Sequence, residues 1–126
     1  MKGVKQEGVR AGNWLTREEA ERLVNVPVRR WQQEKLPRTK ALRDSAILAV
    51  MVGTGLRRAE AARLTWEQIQ QRGGRWAIID LVGKRNRVRS VGIPSWVKIA
   101  LDRWAAAVGV HTGNVFRALN KDGGLA

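Results

Sequence analysis

The sequence contains no cysteine and no tyrosine. The first absence excludes a disulfide framework and any thiolate metal site. The second removes every phenolic hydroxyl from its chemistry. Long apolar runs are missing too. The longest, Ala46 to Val52, suits a buried helix and falls far short of the roughly 20 residues that cross a bilayer. The stretch from Met1 to Thr16 has no apolar signal core. Neither membrane insertion nor secretion is expected, and a reducing cytoplasm is the expected compartment. Negative charge is scarce: 11 Asp plus Glu stand against 24 Lys plus Arg, a formal net charge of +13 over 126 residues. The excess is not a basic tail, because 11 basic and 5 acidic side chains lie up to Arg43 and 13 and 6 lie after it. A compact chain so charged repels itself, and the charge implies a polyanionic partner, nucleic acid first among them.

What is present divides into a polar lead and one small domain. Residues 1–15 are polar and punctuated by Gly3, Gly8 and Gly12, and they read as a linker. Thr16-Arg17-Glu18-Glu19 has the form of a capping box, so a helix is expected to about Val24, with Ala20, Leu23 and Val24 inward and Pro27 ending it. Val28 to Arg38 is basic and ambiguous. Thr39 to Val52 predicts a second helix, buried nearly all round, stopped by Gly53 and Gly55. Arg58 to Leu64 predicts a third, with Ala61, Ala62 and Leu64 inward. A Gln-rich stretch leads to Gly73-Gly74, and the pattern then turns extended. Arg75 to Val82 and Arg87 to Ile93 predict a β-hairpin turning at Gly83 to Asn86. From Pro94 to Val108 apolar residues recur at helical spacing, and Gly109 closes that helix. The order predicts an α+β domain, mostly helical, with a small antiparallel hairpin or sheet.

Two stretches carry chemistry. In Thr54-Gly55-Leu56-Arg57-Arg58-Ala59-Glu60 a tight turn places arginines at a helix start. There a planar guanidinium fork adds to backbone N–H groups that favour an anion. The alternative is that Arg57 or Arg58 is a surface residue paired with Glu60 or Asp44. In Gly83-Lys84-Arg85-Asn86-Arg87-Val88-Arg89 basic residues crowd a hairpin tip that could lie along a phosphate backbone. The alternative is an edge hairpin kept from aggregating by its charge. The single histidine, His111, has no evident partner. Of the six tryptophans, Trp66, Trp76 and Trp104 sit at apolar positions and are expected in the core. Trp14, Trp31 and Trp96 are left open.

Together, Arg43-Asp44-Ser45-Ala46-Ile47-Leu48, the Thr-Gly-Leu-Arg-x-x-Glu block and the Gly83-Lys84 hairpin follow the order and spacing of the tyrosine recombinases (the phage integrase family). The resemblance runs from about Thr16 to Val108. It implies that 16–126 is a truncated form of that family's catalytic domain and that 1–15 follows a missing core-binding domain. It also implies duplex DNA as partner, assembly of the full-length parent into oligomers on DNA, and no metal or other cofactor. Family enzymes attack a DNA phosphate with a tyrosine, stabilise the transition state with two arginines and protonate the leaving oxygen with a hairpin lysine. By position Arg57 matches the first arginine and Lys84 the lysine. Glu60 matches an acidic residue that orients the arginine region, while Arg58, Arg85, Arg87 and Arg89 are expected DNA contacts.

The chain departs from the family in lacking a His-x-x-Arg block, a second histidine and the tyrosine. Strand cleavage by this chain alone is therefore not expected. The readings are a catalytically incomplete DNA-binding fragment of a recombinase, a small basic nucleic-acid-binding accessory module, or a relic without a role. A partial domain is also expected to expose apolar surface and to self-associate.

Overall fold

In the computed structural model the residues described are 16–29, 37–83, 85 and 87–126. The linker reading of 1–15, Trp14, Trp31, most of the ambiguous basic stretch and, at the hairpin tip, Lys84 and Asn86 lie outside them. Along the described residues run α1 (Arg17–Val24), α2 (Arg38–Thr54), α3 (Arg58–Arg63), β1 (Ile69–Arg72), β2 (Arg75–Val82), β3 (Val88–Gly92) and α4 (Ser95–Val108), the three strands forming one antiparallel sheet. A 3₁₀ turn over Trp66–Gln68 links α3 to the sheet.

Helix α1 starts as its sequence requires. The Thr16 hydroxyl accepts the Glu19 N–H at 3.0 Å, and the Glu19 carboxylate accepts the Thr16 N–H at 2.9 Å. It ends at Asn25, and residues 26–29 are helical again, so Pro27 does not terminate helical structure; it sits where a first turn tolerates a missing N–H. Leu23 is exposed, and only Ala20 and Val24 of α1 are buried, because eight residues present one narrow stripe. Helix α2 buries Ala41, Leu42, Ser45, Ala46, Ala49 and Val50. Its other face, Ile47 and Leu48, is half-buried and lines an open hollow with Leu23, Val26 and Pro27, so burial is one-sided, not all round.

Gly53 lies inside α2, and Gly55 alone caps it in the left-handed conformation. Gly53 is there for contact: a Cβ on it would stand 2.3 Å from Val97 Cγ2 and 3.1 Å from the Trp96 ring. The absent side chain lets α2 and α4 touch. Between them and the sheet lies one core with Trp104, Leu64, Ile78, Leu101, Val50, Val97 and Val115 fully buried. Trp66 and Trp76 are only half-buried; Lys98 Nζ lies 3.9 Å from the Trp76 ring centre.

The sheet has one strand more than the sequence announced. The Gln-rich stretch is β1, paired Ile69↔Ile78 through Arg72↔Arg75. Glutamine has little strand propensity, but Gly73 and Gly74, at φ +60° and +80°, form the two-residue turn that folds it onto β2. Strand β2 is bulged. Its pairing with β3 runs Ala77↔Gly92 and Ile78↔Val91, then Leu81↔Arg89 and Val82↔Val88, so Ile79 and Asp80 together oppose Ser90. A regular strand turns residues three apart to opposite faces. The extra residue lets Ile78 and Leu81 both be buried. After α4 the chain returns across α3 and α2. The Trp104 indole donates to the Val115 carbonyl at 2.6 Å, Val115 N–H to Leu64 O at 2.9 Å, and the Thr39 hydroxyl to Gly123 O at 2.6 Å.

Candidate functional site

The turn after α2 and the β2–β3 hairpin face each other across a groove of about 740 Å³. Thr54, Gly55 and Arg57 form one wall with Glu60 and Arg63 of α3; Gly83, Arg87 and Arg89 form the other, with Val82 and Val88 at the rim. Gly55, in the left-handed conformation, turns the chain through this corner, and the buried Leu56 side chain anchors it, leaving Arg57 exposed. Across the hairpin loop the Gly83 N–H donates to the Arg87 carbonyl at 2.8 Å. Arg85 holds φ +59° in that loop.

The groove has a buried carboxylate at its base. Glu60 Oε2 accepts Arg89 Nη1 at 2.7 Å, and Glu60 Oε1 accepts Arg89 Nη2 at 3.3 Å and the Arg57 backbone N–H at 2.9 Å. Glu60 is 9% exposed and Arg89 44%. The Arg89 guanidinium holds the Glu60 carboxyl below its ordinary range against the opposing effect of burial, with help from the Arg57 N–H. The same pair holds the Arg89 pKa above its ordinary value.

The structure therefore separates the expected site residues. Arg57 and Arg87 line the groove with Glu60. Arg89 does too, but its fork is engaged by Glu60, so it braces the hairpin. Arg58 lines a different hollow of about 240 Å³, floored by Ile47, Met51 and Phe116 and shared with Arg43 and Arg117. Arg85 is exposed at the loop, and Lys84 lies outside the described residues. The pairings considered for Arg57 and Arg58 are taken by others: Asp44 binds Lys40 and Arg43, each at 3.3 Å, and Glu60 binds Arg89. With α3 only six residues long and the Arg57 N–H on Glu60, an anion here meets side chains rather than a helix end.

Three contributions escaped the sequence. Arg63 lines the groove, and its signal was its i+3 spacing from Glu60. Val82 and Val88, a cross-strand pair 50% and 62% exposed, give the rim an apolar edge. Gln68 ties the β2 bulge to Thr65, just past the end of α3. Among the described residues no acidic side chain pairs with Arg57, Arg63 or Arg87. Among the described lining residues Glu60 is the only carboxylate and it is paired with Arg89, so the groove is a cationic cleft suited to an anion with several oxygens. Among the described residues no cluster of metal-ligating side chains occurs, and no helix is long and apolar enough to cross a membrane.

A model of the phage integrase family matches residues 13–116. The tyrosine recombinase XerC of Xylella fastidiosa, in strains M23 and Temecula1, is 34% identical over 68 residues, covering 54% of this chain and 22% of the relative. Two crystal structures of the XerH site-specific recombinase share the fold. One is a post-cleavage complex with palindromic difH substrate (TM-score 0.58) and the other a pre-cleavage complex with difH (TM-score 0.57), each at 21% identity over 89% of this chain and 31% of the XerH chain. The chain thus spans less than a third of the length of these relatives.

Proposed function

The chain belongs to the phage integrase family, and from that premise we propose that it forms the phosphate-binding part of a tyrosine-type site-specific DNA recombinase. The observation that carries the reading is the groove lined by Arg57 and Arg63 on one wall and Arg87 on the other, with Glu60 already paired to Arg89. Fixed cations around a partly enclosed space are the main means of stabilising charge on a reacting phosphate. In this reading Arg57 binds a non-bridging oxygen of the scissile phosphate. Lys84, which follows Gly83 in the sequence, protonates the leaving hydroxyl oxygen. Arg85 and Arg87 hold flanking phosphates, and Glu60 and Arg89 hold the two walls together. The nucleophile and the second arginine clamp come from parts of the recombinase other than these 126 residues, which contain no tyrosine. The chain alone binds duplex DNA without breaking it. Assembly of several subunits on DNA belongs to the same reading of the whole protein.

The test is a salt titration of binding to a fluorescent DNA duplex, with a matched RNA duplex in parallel. Micromolar affinity at low salt, falling linearly on a log–log plot, is expected from counterion release. No binding to duplex DNA at low salt sinks the proposal. Tighter binding to RNA than to DNA replaces it with an accessory RNA-binding module.

A further inference from the structure

We infer that Gln68, outside the groove and in no contact with a bound phosphate, is the positioning residue that sets which side chain the hairpin presents to Glu60. The inference concerns the site proposed above and rests on that reading only for its effect on DNA.

Between the pairs Ile78↔Val91 and Leu81↔Arg89, β2 has one residue more than β3. Paired residues share a face, so Arg89 stands beside Leu81 on the inner side, where Glu60 meets it. Without the extra residue the register would continue Ile79↔Ser90 and Asp80↔Arg89. The Asp80 carboxylate would then face Arg89 on the inner side and compete with Glu60 for the same guanidinium, and Leu81 would turn to solvent. The bulge thus keeps the wrong carboxylate away from Arg89.

The bulge is not self-supporting. Asp80 adopts φ +55°, a conformation that costs a residue with a side chain, though Asp less than most. The β1 ladder stops at Ile69↔Ile78, one residue short of it. Gln68 fills that gap. Its side-chain amide donates to the carbonyls of Ile79 and Asp80, both at 3.1 Å. Its oxygen accepts from the Thr65 N–H at 2.9 Å and the Thr65 hydroxyl at 3.2 Å. Every polar atom of the half-buried amide is matched, so its orientation is fixed. Thr65 stands just past α3, after its capping residue Leu64. Two struts therefore join α3 to the sheet: Glu60 to Arg89 from its first turn, and Gln68 to the bulge from just past its end. The second sets the register that the first needs.

The experiment reads the arginine guanidinium N–H signals of the ¹⁵N-labelled chain, with Arg89 assigned by its loss in Arg89→Lys, alongside duplex affinity. In Gln68→Ala the slowly exchanging Arg89 signal should disappear and affinity should fall by roughly fivefold, the size of a coupling between neighbouring groups. Adding Asp80→Gly, which suits the positive φ and removes the competing carboxylate, should restore both. A merely structural glutamine would not be rescued in this way. If Gln68→Ala gives no cooperative thermal transition, Gln68→Glu serves, since it keeps an acceptor for Thr65 and removes both donors to the bulge. The inference is overturned if the Arg89 signal persists in the Gln68 variant, or if Asp80→Gly fails to restore it. The signal is read without DNA, so failure of the wild-type chain to bind a duplex would count against the proposed function and leave this result standing.

Discussion

Arg89 and Glu60, 29 positions apart, meet through a two-pronged contact of 2.7 and 3.3 Å at the base of the groove. It joins a hairpin to a helix that share no continuous strand or turn. Because Glu60 is 9% exposed, removing Arg89 leaves a poorly hydrated carboxylate with only the Arg57 N–H for company. Arg89→Ala is expected to destabilise the fold by about 1–2 kcal/mol, below the fully buried figure because Arg89 itself is half in solvent. Urea unfolding measures it. Glu60→Gln should cost less, since the amide keeps an acceptor for Arg57.

The same pair makes stability depend on pH. Arg89 holds the Glu60 carboxyl below its ordinary range, so the unfolded chain takes up that proton more readily than the folded one. The contribution is complete above the unfolded value of about 4.3 and is lost as pH falls through the lower folded value. Melting temperatures should therefore drop below about pH 5 more steeply in the wild type than in Glu60→Gln. Equal slopes would show that the pair contributes nothing.

Gly53→Ala tests the helix crossing. Alanine favours an exposed helix interior over glycine by about 1 kcal/mol, but its Cβ would lie 2.3 Å from Val97 Cγ2. Overpacking of this kind costs about 1–3 kcal/mol, so a net loss is expected in thermal unfolding. A gain would mean that α2 and α4 separate without cost.

The legibility of this fold follows the range of the interactions. The Thr16–Glu19 box and the caps at Gly55 and Gly109 are local, and the sequence displays them within a few residues. Helix α4 was readable because its apolar residues repeat on one face against a core that buries Val97, Leu101 and Trp104. The Thr-Gly-Leu-Arg-x-x-Glu block and the basic hairpin named Arg57, Glu60 and Arg87, which the fold brings to one groove. Strand β1 was hidden because Gln70 and Gln71 become strand by pairing, not by propensity. The bulge was hidden because Ile78, Ile79 and Leu81 are all apolar and alternation alone cannot say which faces out. Arg58 and Arg89 read as equals of Arg87; only the tertiary fold sets one in another hollow beside α2 and the other onto Glu60.

That separation yields the sharpest prediction for binding. Each phosphate neutralised on duplex DNA contributes about 0.9 to the slope of log affinity against log salt. If the groove holds the backbone, Arg57→Ala and Arg87→Ala should each lower affinity across all sequences and reduce that slope by about one. Arg58→Ala removes the same formal charge from a hollow shared with Arg43 and Arg117. It should therefore change long-range attraction only, weakening at low salt and leaving the slope nearly intact. Charge alone predicts the same slope for all three variants; a localised contact predicts two that move and one that does not. Should Arg58→Ala change the slope as much as Arg57→Ala, the DNA path extends over both sides of α3, and the groove is only part of it.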